Sequence, residues 1–466
     1  MMTLFALLIP TMLGYVVITM LLRHDHETGS LERLSFSFPL GMGFLTLQMF
    51  LLGLMRVPLT LGYTLVPIAL EIAAFCILIV MKKIRPLPKP SFGLLQEFRS
   101  TKTGALKKSA ITILSLWILL KTASLFIETG LRPIYAWDAW ANWSAGAKLF
   151  YHMKSLMLDA PVGDFFARGA VLRIVTYPLH NPLMQTWISL WNGSFDEILV
   201  KFWSPIYLVA MSLCLYTIAS RELSRLAGLA LVVLFMSSPL MSYHGIEVYS
   251  DLTVGAYLFF ASVSFLNAIR GRKGFWLLIG IFSAQALLTK EEALFYILPL
   301  LISAFVFTIN TAEQVPVKRS ILFSLFTPLL MTLPWYIFKI HYGLGLGAGS
   351  DRVNTHLSFY PNVIPAILSS LTSLDNFNVF LVFFPFLVLS GWRRSIEILH
   401  LLFAFACYVV FFAMLYLFTE YHVYIEQGTI INRNILTAYP ILALLTTILL
   451  KYSQPQIETP PLSKKR

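Results

Sequence analysis

The chain has 466 residues, of which 57% are hydrophobic and 12% charged, and it carries a formal net charge of +12. A water-soluble domain holds about twice that charged fraction. The composition, with a mean hydropathy of +0.74, therefore excludes a soluble enzyme and points to a membrane protein. Cys76, Cys214 and Cys407 fall inside apolar runs and read as small core residues, which excludes a disulfide framework and a cysteine-ligated metal site.

A spanning helix needs roughly 20 mostly apolar residues, and such runs recur along the whole chain. They predict an all-α polytopic bundle of about thirteen spans, at 4–22, 38–54, 58–81, 109–128, 197–218, 226–242, 252–269, 275–289, 293–309, 320–340, 376–390, 396–418 and 434–450. The first run lacks a basic leading segment and a small-residue cleavage motif, so it reads as a retained span. Cytoplasmic loops are rich in Lys and Arg. Placing the basic loop 82–108 inside fixes every other loop by alternation. Of the 35 basic residues, 23 then fall inside, against 8 of the 23 acids. The N-terminus is thereby placed outside and the C-terminus inside. The basic excess is an orientation signal and a contact for membrane lipids; no nucleic-acid partner is expected.

Two ionisable residues, Glu71 and Lys121, lie within spans, where charge is costly and faces protein or water. The first long outer loop, 129–196, opens on Ile134–Tyr151, in which Trp137-Asp138-Ala139-Trp140 is followed by Trp143. Indoles favour the membrane boundary because the body is apolar and one edge polar. Asp138 among them is either a solvated acid in an aromatic belt or a general base at the mouth of a membrane cavity. Further on, His180 stands between Pro178 and Pro182, in a stiff turn or as a ligand. Asn181–Asn192 reads as a helix, yet 12 residues cannot cross a bilayer, and a crossing there would reverse the charge pattern beyond it. It is expected on the outer surface, making the loop, with 140–155, a partly folded interfacial structure.

The next outer loop holds Glu247 and Asp251, four apart and on one face if the helix starts early. The pair either holds a divalent cation or orients a nucleophile, unless Asp251 is merely a helix N-cap. Thr289-Lys290-Glu291-Glu292 is a tight outer turn. Lys290 there, and Lys339 near the end of span 320–340, are interface anchors or cations for a phosphate headgroup. Arg433 opens the last span from outside and suits bidentate phosphate binding. No nucleotide-binding motif lies on the inner side.

In order along the chain, this pattern resembles the GT-C integral-membrane glycosyltransferases that use polyprenyl-phosphate-linked sugars, such as the protein O-mannosyltransferases and the lipid A aminoarabinose transferases. Asp138 in Trp137-Asp-Ala-Trp140 looks like their catalytic acid in the first outer loop. Asp251 in Tyr249-Ser-Asp-Leu252, with Glu247 beside it, resembles their next outer acid. Thr289–Glu292 is similar to their Lys-containing turn, and Asn432-Arg433 before Pro440 to the basic residue opening a late span. The chain departs from the pattern in having Ala139 where an Asp-Glu pair would need an acid, and Glu where the turn commonly has Gly. Residues 1–108 read as an added three-span unit, 109–450 as the GT-C-like domain and 451–466 as a cytoplasmic tail.

The resemblance implies transfer of a sugar, with inversion, from a polyprenyl-phosphate-linked donor to a hydroxyl of a glycan, lipid or protein on the periplasmic or exterior face of a bacterial inner or plasma membrane. Asp138, Asp251 and Glu247 would be the catalytic set. Lys290, Arg433, Lys339, Trp137, Trp140 and His180 would bind the lipid phosphate and substrate. No cofactor is required by the residues, and a divalent cation, Mg or Mn, on Asp138, Asp251 and Glu247 is the one candidate. The alternative is a transporter or flippase for a lipid-linked glycan, whose usual sign, an internal repeat, is not seen in the sequence.

Overall fold

The computed structural model describes residues 2–81, 104–156, 177–272, 274–310, 315–341, 343, 357–391, 395–426, 428 and 430–453. Most of the basic loop 82–108, residues 157–176 of the first outer loop and most of the tail lie outside this set. Among the described residues the protein is all-helical. Ten helices among these residues are long and apolar enough to cross a membrane. The other three expected spans differ. That at 226–242 is a pair, Arg225–Met236 and Pro239–Gly245, bent by 74°. The break falls where Ser238 caps a new helix that begins on Pro239, whose ring and missing N–H cannot continue the first one. The segments at 275–289 and 376–390 form helices of 13 and 12 residues, shorter than a bilayer requires.

Ser250–Ile269 is the central helix. Nearly every residue of it is buried, against Phe275–Leu287 and Ile431–Ser453 among others. A Cβ on Gly255 would stand 2.9 Å from the carbonyl oxygen of Thr437, so only glycine permits this approach. Gly255 is one turn from Asp251, and Thr437 one turn from Arg433. The close contact therefore fixes the distance between those two charges.

Of the expected N-terminal unit 1–108, residues 2–81 and 104–108 are described, and their helices pack on the rest of the bundle. Met2–Leu21 and Ser30–Leu54 interlock where a Cβ on Gly14 or Gly41 would collide with backbone. Ser30–Leu54 packs on Trp203–Glu222, and Tyr257 donates to the Pro39 carbonyl. Leu61–Val80 and Ala105–Leu131 lie at the margin, only 17% and 11% buried.

At the end of the bundle remote from Asp251, charged side chains tie helix ends together. Arg270 bridges Glu222 and Glu397 at 2.7 Å each, and Lys451 reaches Glu222 at 2.8 Å. Arg221 pairs with Glu32, and Arg272 with Asp25.

Candidate active site

Four of the expected site residues meet at the opposite end. Asp251 sits in the first turn of Ser250–Ile269, Arg433 in the first turn of Ile431–Ser453, and Lys290 in the turn after Phe275–Leu287. Asp138 immediately precedes a π-helical turn, Ala139–Ser144. Arg433 lies between the two aspartates. Its Nε and Nη2 are both 2.9 Å from Asp251 Oδ2, and its Nη1 donates to Asp138 Oδ2. Lys290 Nζ donates to Asp251 Oδ1 at 2.9 Å and also contacts Glu292. Burial works against the Lys290 charge, and the Asp251 and Glu292 carboxylates overcome it, holding the ammonium well above the ordinary lysine range.

The two aspartates differ in access. Asp251 is 1% exposed, with each oxygen taken by a cation, whereas Asp138 is 22% exposed. Asp138 has one other bond, from Asn142 Nδ2 at 3.0 Å. A saturated, buried carboxylate orients cations. A half-open one held by a single guanidinium can exchange that partner for a proton.

Other expected residues lie elsewhere. Glu247 does not join Asp138 and Asp251. It is fully buried and pairs with Lys201 at 3.3 Å, and burial pushes its carboxyl upward against the pull of Lys201. The three acids thus do not form one group. Among the described residues no cluster of three or more His, Cys, Asp or Glu side chains is arranged to hold a metal ion. Lys339 pairs instead with Glu291 at 2.6 Å, beside the Trp335 indole, one residue along from Lys290.

His180 is not at the ionic cluster. It is buried among Thr46 (2.6 Å), Tyr257 (3.0 Å) and Tyr207 (3.3 Å), and burial pushes its imidazole down to about 3. It starts the His180–Asn192 helix, which is also not on the surface: all residues from His180 to Leu190 are buried. Several polar side chains there are satisfied internally. Asn181 donates to the Val248 carbonyl, Ser144 to Gln185, and Thr186 to the Pro182 carbonyl. Trp137 and Trp140 are exposed, at 67% and 51%, while Trp143 is buried. One indole of the three thus anchors the loop and two face outward.

Aromatic and imidazole groups that the sequence did not single out complete the surroundings. The Arg433 guanidinium lies over the Tyr249 ring at 5.1 Å, and Tyr249 stacks on His244, whose Nδ1 is 3.9 Å from Asp251. Tyr177 lies tilted against Trp143 and faces the charges of Glu292 and Lys290; burial raises its phenol, keeping it a neutral donor. Tyr249 and His244 flank Glu247 and Asp251, so an aromatic-rich frame around the acids was the available signal.

A bundle of membrane-spanning helices with two acids, an arginine and a lysine gathered at one end has the GT-C type of fold, and the protein is an integral membrane protein. Residues 178–338 match the family described as dolichyl-phosphate-mannose-protein mannosyltransferase. Two crystal structures of ArnT from Cupriavidus metallidurans, one in the apo state and one bound to undecaprenyl phosphate, match the fold with a TM-score of 0.51. Identity is 15% and 14%, and each match covers 73% of this chain and 60% of the ArnT chain. The chain thus spans less than two thirds of the length of those structures. A comparison with curated proteins found no match. The likeness to the ArnT structures shows the fold, and the family match covers residues 178–338 alone.

Proposed function

We propose that this protein transfers a sugar from a polyprenyl-phosphate-linked donor to an acceptor hydroxyl, with inversion, on the outer side of a bacterial inner or plasma membrane. The observation that carries the reading is Arg433 shared between Asp138 and Asp251, with Lys290 on the same Asp251. The match to a structure holding undecaprenyl phosphate supports a lipid phosphate as the anion for these cations.

In this reading Asp251 is a positioning residue that aims Arg433 and Lys290. A donor phosphate competes with Asp138 for Arg433, since guanidinium binds phosphate and carboxylate in the same forked manner. Donor binding thereby frees Asp138 in the presence of substrate. Asp138 then takes the proton of the acceptor hydroxyl, whose oxygen attacks the anomeric carbon as the bond to the phosphate oxygen breaks. The negative charge growing on the departing polyprenyl phosphate is met by Arg433 and Lys290. The acceptor is a hydroxyl of a glycan, lipid or protein.

The test is incubation of the protein in lipid with radiolabelled polyprenyl-phosphate sugars, scoring released polyprenyl phosphate. Release that depends on Asp138 is expected. Release no greater than from an Asp138→Asn control, across the donor panel, removes the reading.

A further inference from the structure

Two ionisable side chains stand inside the membrane-spanning part and take no part in the ionic cluster. Glu71 belongs to Leu61–Val80 and Lys121 to Ala105–Leu131. These are the two least buried spans. Each presents a stripe of bulky apolar side chains outward, Tyr63, Val66, Leu70 and Ile77 on one, and Ile113, Leu116, Leu120 and Ile127 on the other. The two helices rest on different neighbours. The first packs on Met2–Leu21 and Ser30–Leu54, the second on Arg225–Met236 and Trp203–Glu222.

Glu71 is exposed on its helix, and its carboxylate receives a hydrogen bond from the neutral amide of Gln48. Among the described residues no cation pairs with it, and Lys121 has no acidic partner. In hydrocarbon a charge without a counter-charge is costly, and polar side chains there seek one another across helix interfaces.

The depths of the two residues agree. Glu71 follows the outer end of its helix, Leu61, by ten residues, and Lys121 precedes the outer end of its helix, Leu131, by ten residues. At about 1.5 Å per residue both lie roughly 15 Å below the outer helix ends. Copies of one chain inserted in the same orientation keep every residue at its own depth, so Glu71 of one copy and Lys121 of another stand level.

We infer that the Leu61–Val80 and Ala105–Leu131 faces form an interface with a second copy of this chain, closed by an intramembrane ion pair between Glu71 of one protomer and Lys121 of its partner. The occupant is a second copy because the complementary charge, at matching depth, is supplied by the chain itself. A two-fold arrangement forms the pair twice, and the apolar stripes around it supply the packing.

The experiment counts chains per particle by photobleaching of the labelled, full-length protein in lipid discs. Wild type is expected as two chains. Glu71→Lys or Lys121→Glu alone is expected to weaken association by ~10-fold or more, and the double exchange to restore it. As a second measurement, Glu71→Cys and Lys121→Cys copies are mixed in a background with Cys76 and Cys407 changed to Ser, since these two native thiols are not buried. A short bis-maleimide should join unlike copies and leave each variant alone uncrosslinked. Single chains for wild type, dimers indifferent to the single charge reversals, failure of the double exchange to restore pairs, or crosslinks within one variant would each overturn the interface.

Discussion

Two clusters of charge close the two ends of this bundle, and they are built from similar parts. At one end Arg270 spans Glu222 and Glu397; at the other Arg433 spans Asp251 and Asp138. Each arginine is about one fifth exposed, 19% and 22%. What differs is what the acids hang from. Glu222 closes one helix and Glu397 opens another, so the Arg270 bridge joins rigid ends and has one geometry. Asp138 leads into the short π-helical turn Ala139–Ser144 and Asp251 stands in the first turn of a spanning helix, and the space between them is walled by Tyr249 and His244. One cluster is a staple between spanning helices, whereas the other also holds the more exposed Asp138. Under the proposed function, the same kind of ion pair serves chemistry where one carboxylate stays within reach of solvent.

The comparison is broken most directly at Asp138. Asp138→Asn keeps the shape and removes the proton acceptor. Transfer is expected to fall by at least ~10²-fold with the thermal midpoint unchanged; near wild-type turnover at saturating donor would make this end a staple as well. Arg433→Ala should weaken donor binding by ~10–100-fold, since hydrogen bonds to charged groups contribute about 1.5–3 kcal/mol. Binding of a fluorescent lipid phosphate is the readout, and unchanged affinity removes Arg433 from the site.

Arg270→Ala should do the opposite, leaving donor affinity alone and lowering stability by about 1–2 kcal/mol. That is the cost of orphaning buried carboxylates, discounted because the cluster is partly open to solvent. Equal loss of affinity would show that the two ends are not independent. Gly255→Ala sharpens the same point, because its Cβ would press on the Thr437 backbone and part Asp251 from Arg433. Activity should fall severalfold more than stability predicts, as measured by turnover against midpoint.

An effect absent at neutral pH concerns His180. Its imidazole is held down to about 3 by burial, against an ordinary value near 6.5. The unfolded chain therefore takes a proton below about pH 6.5 that the folded one refuses. The stabilisation is complete above that pH and is lost as pH falls toward 3, with a slope approaching about 1.4 kcal/mol per pH unit. His180→Gln should flatten the acid side of the midpoint profile. An unaltered profile would mean that His180 does not titrate as buried.

The sequence exposed the ionic cluster better than its surroundings. Asp138, Asp251, Lys290 and Arg433 each stand at the edge of an apolar run, where a charge is conspicuous, and charge alternation assigns all four to one side. Glu247 and Asp251 looked equivalent because a four-residue spacing implies a shared helix face. The helix begins only at Ser250, so Glu247 points elsewhere, to Lys201. His180 and its helix were misplaced for another reason. A length of 12 residues excludes a crossing, but it does not require the surface. Asn181, Gln185 and Ser189 recur at four-residue steps, which marks a polar stripe, and that stripe finds partners inside the protein. The count of spans was legible only as apolar length. The break before Pro239 depends on a cap and an angle, which hydropathy does not record.

The π-helical turn Ala139–Ser144 also determines which insertions and deletions the chain tolerates. Such a turn accommodates one residue more than an α-helical turn in the same rise. Deleting Ala141 would remove that extra residue and let the segment relax to α-helix with Asp138 and Trp143 still on their own faces. Each residue removed beyond it swings what precedes it by about 100° about the axis. Asp138 would then leave Arg433 while Trp143 kept its buried place, so a first deletion is tolerated and a second uncouples the acid from its anchor.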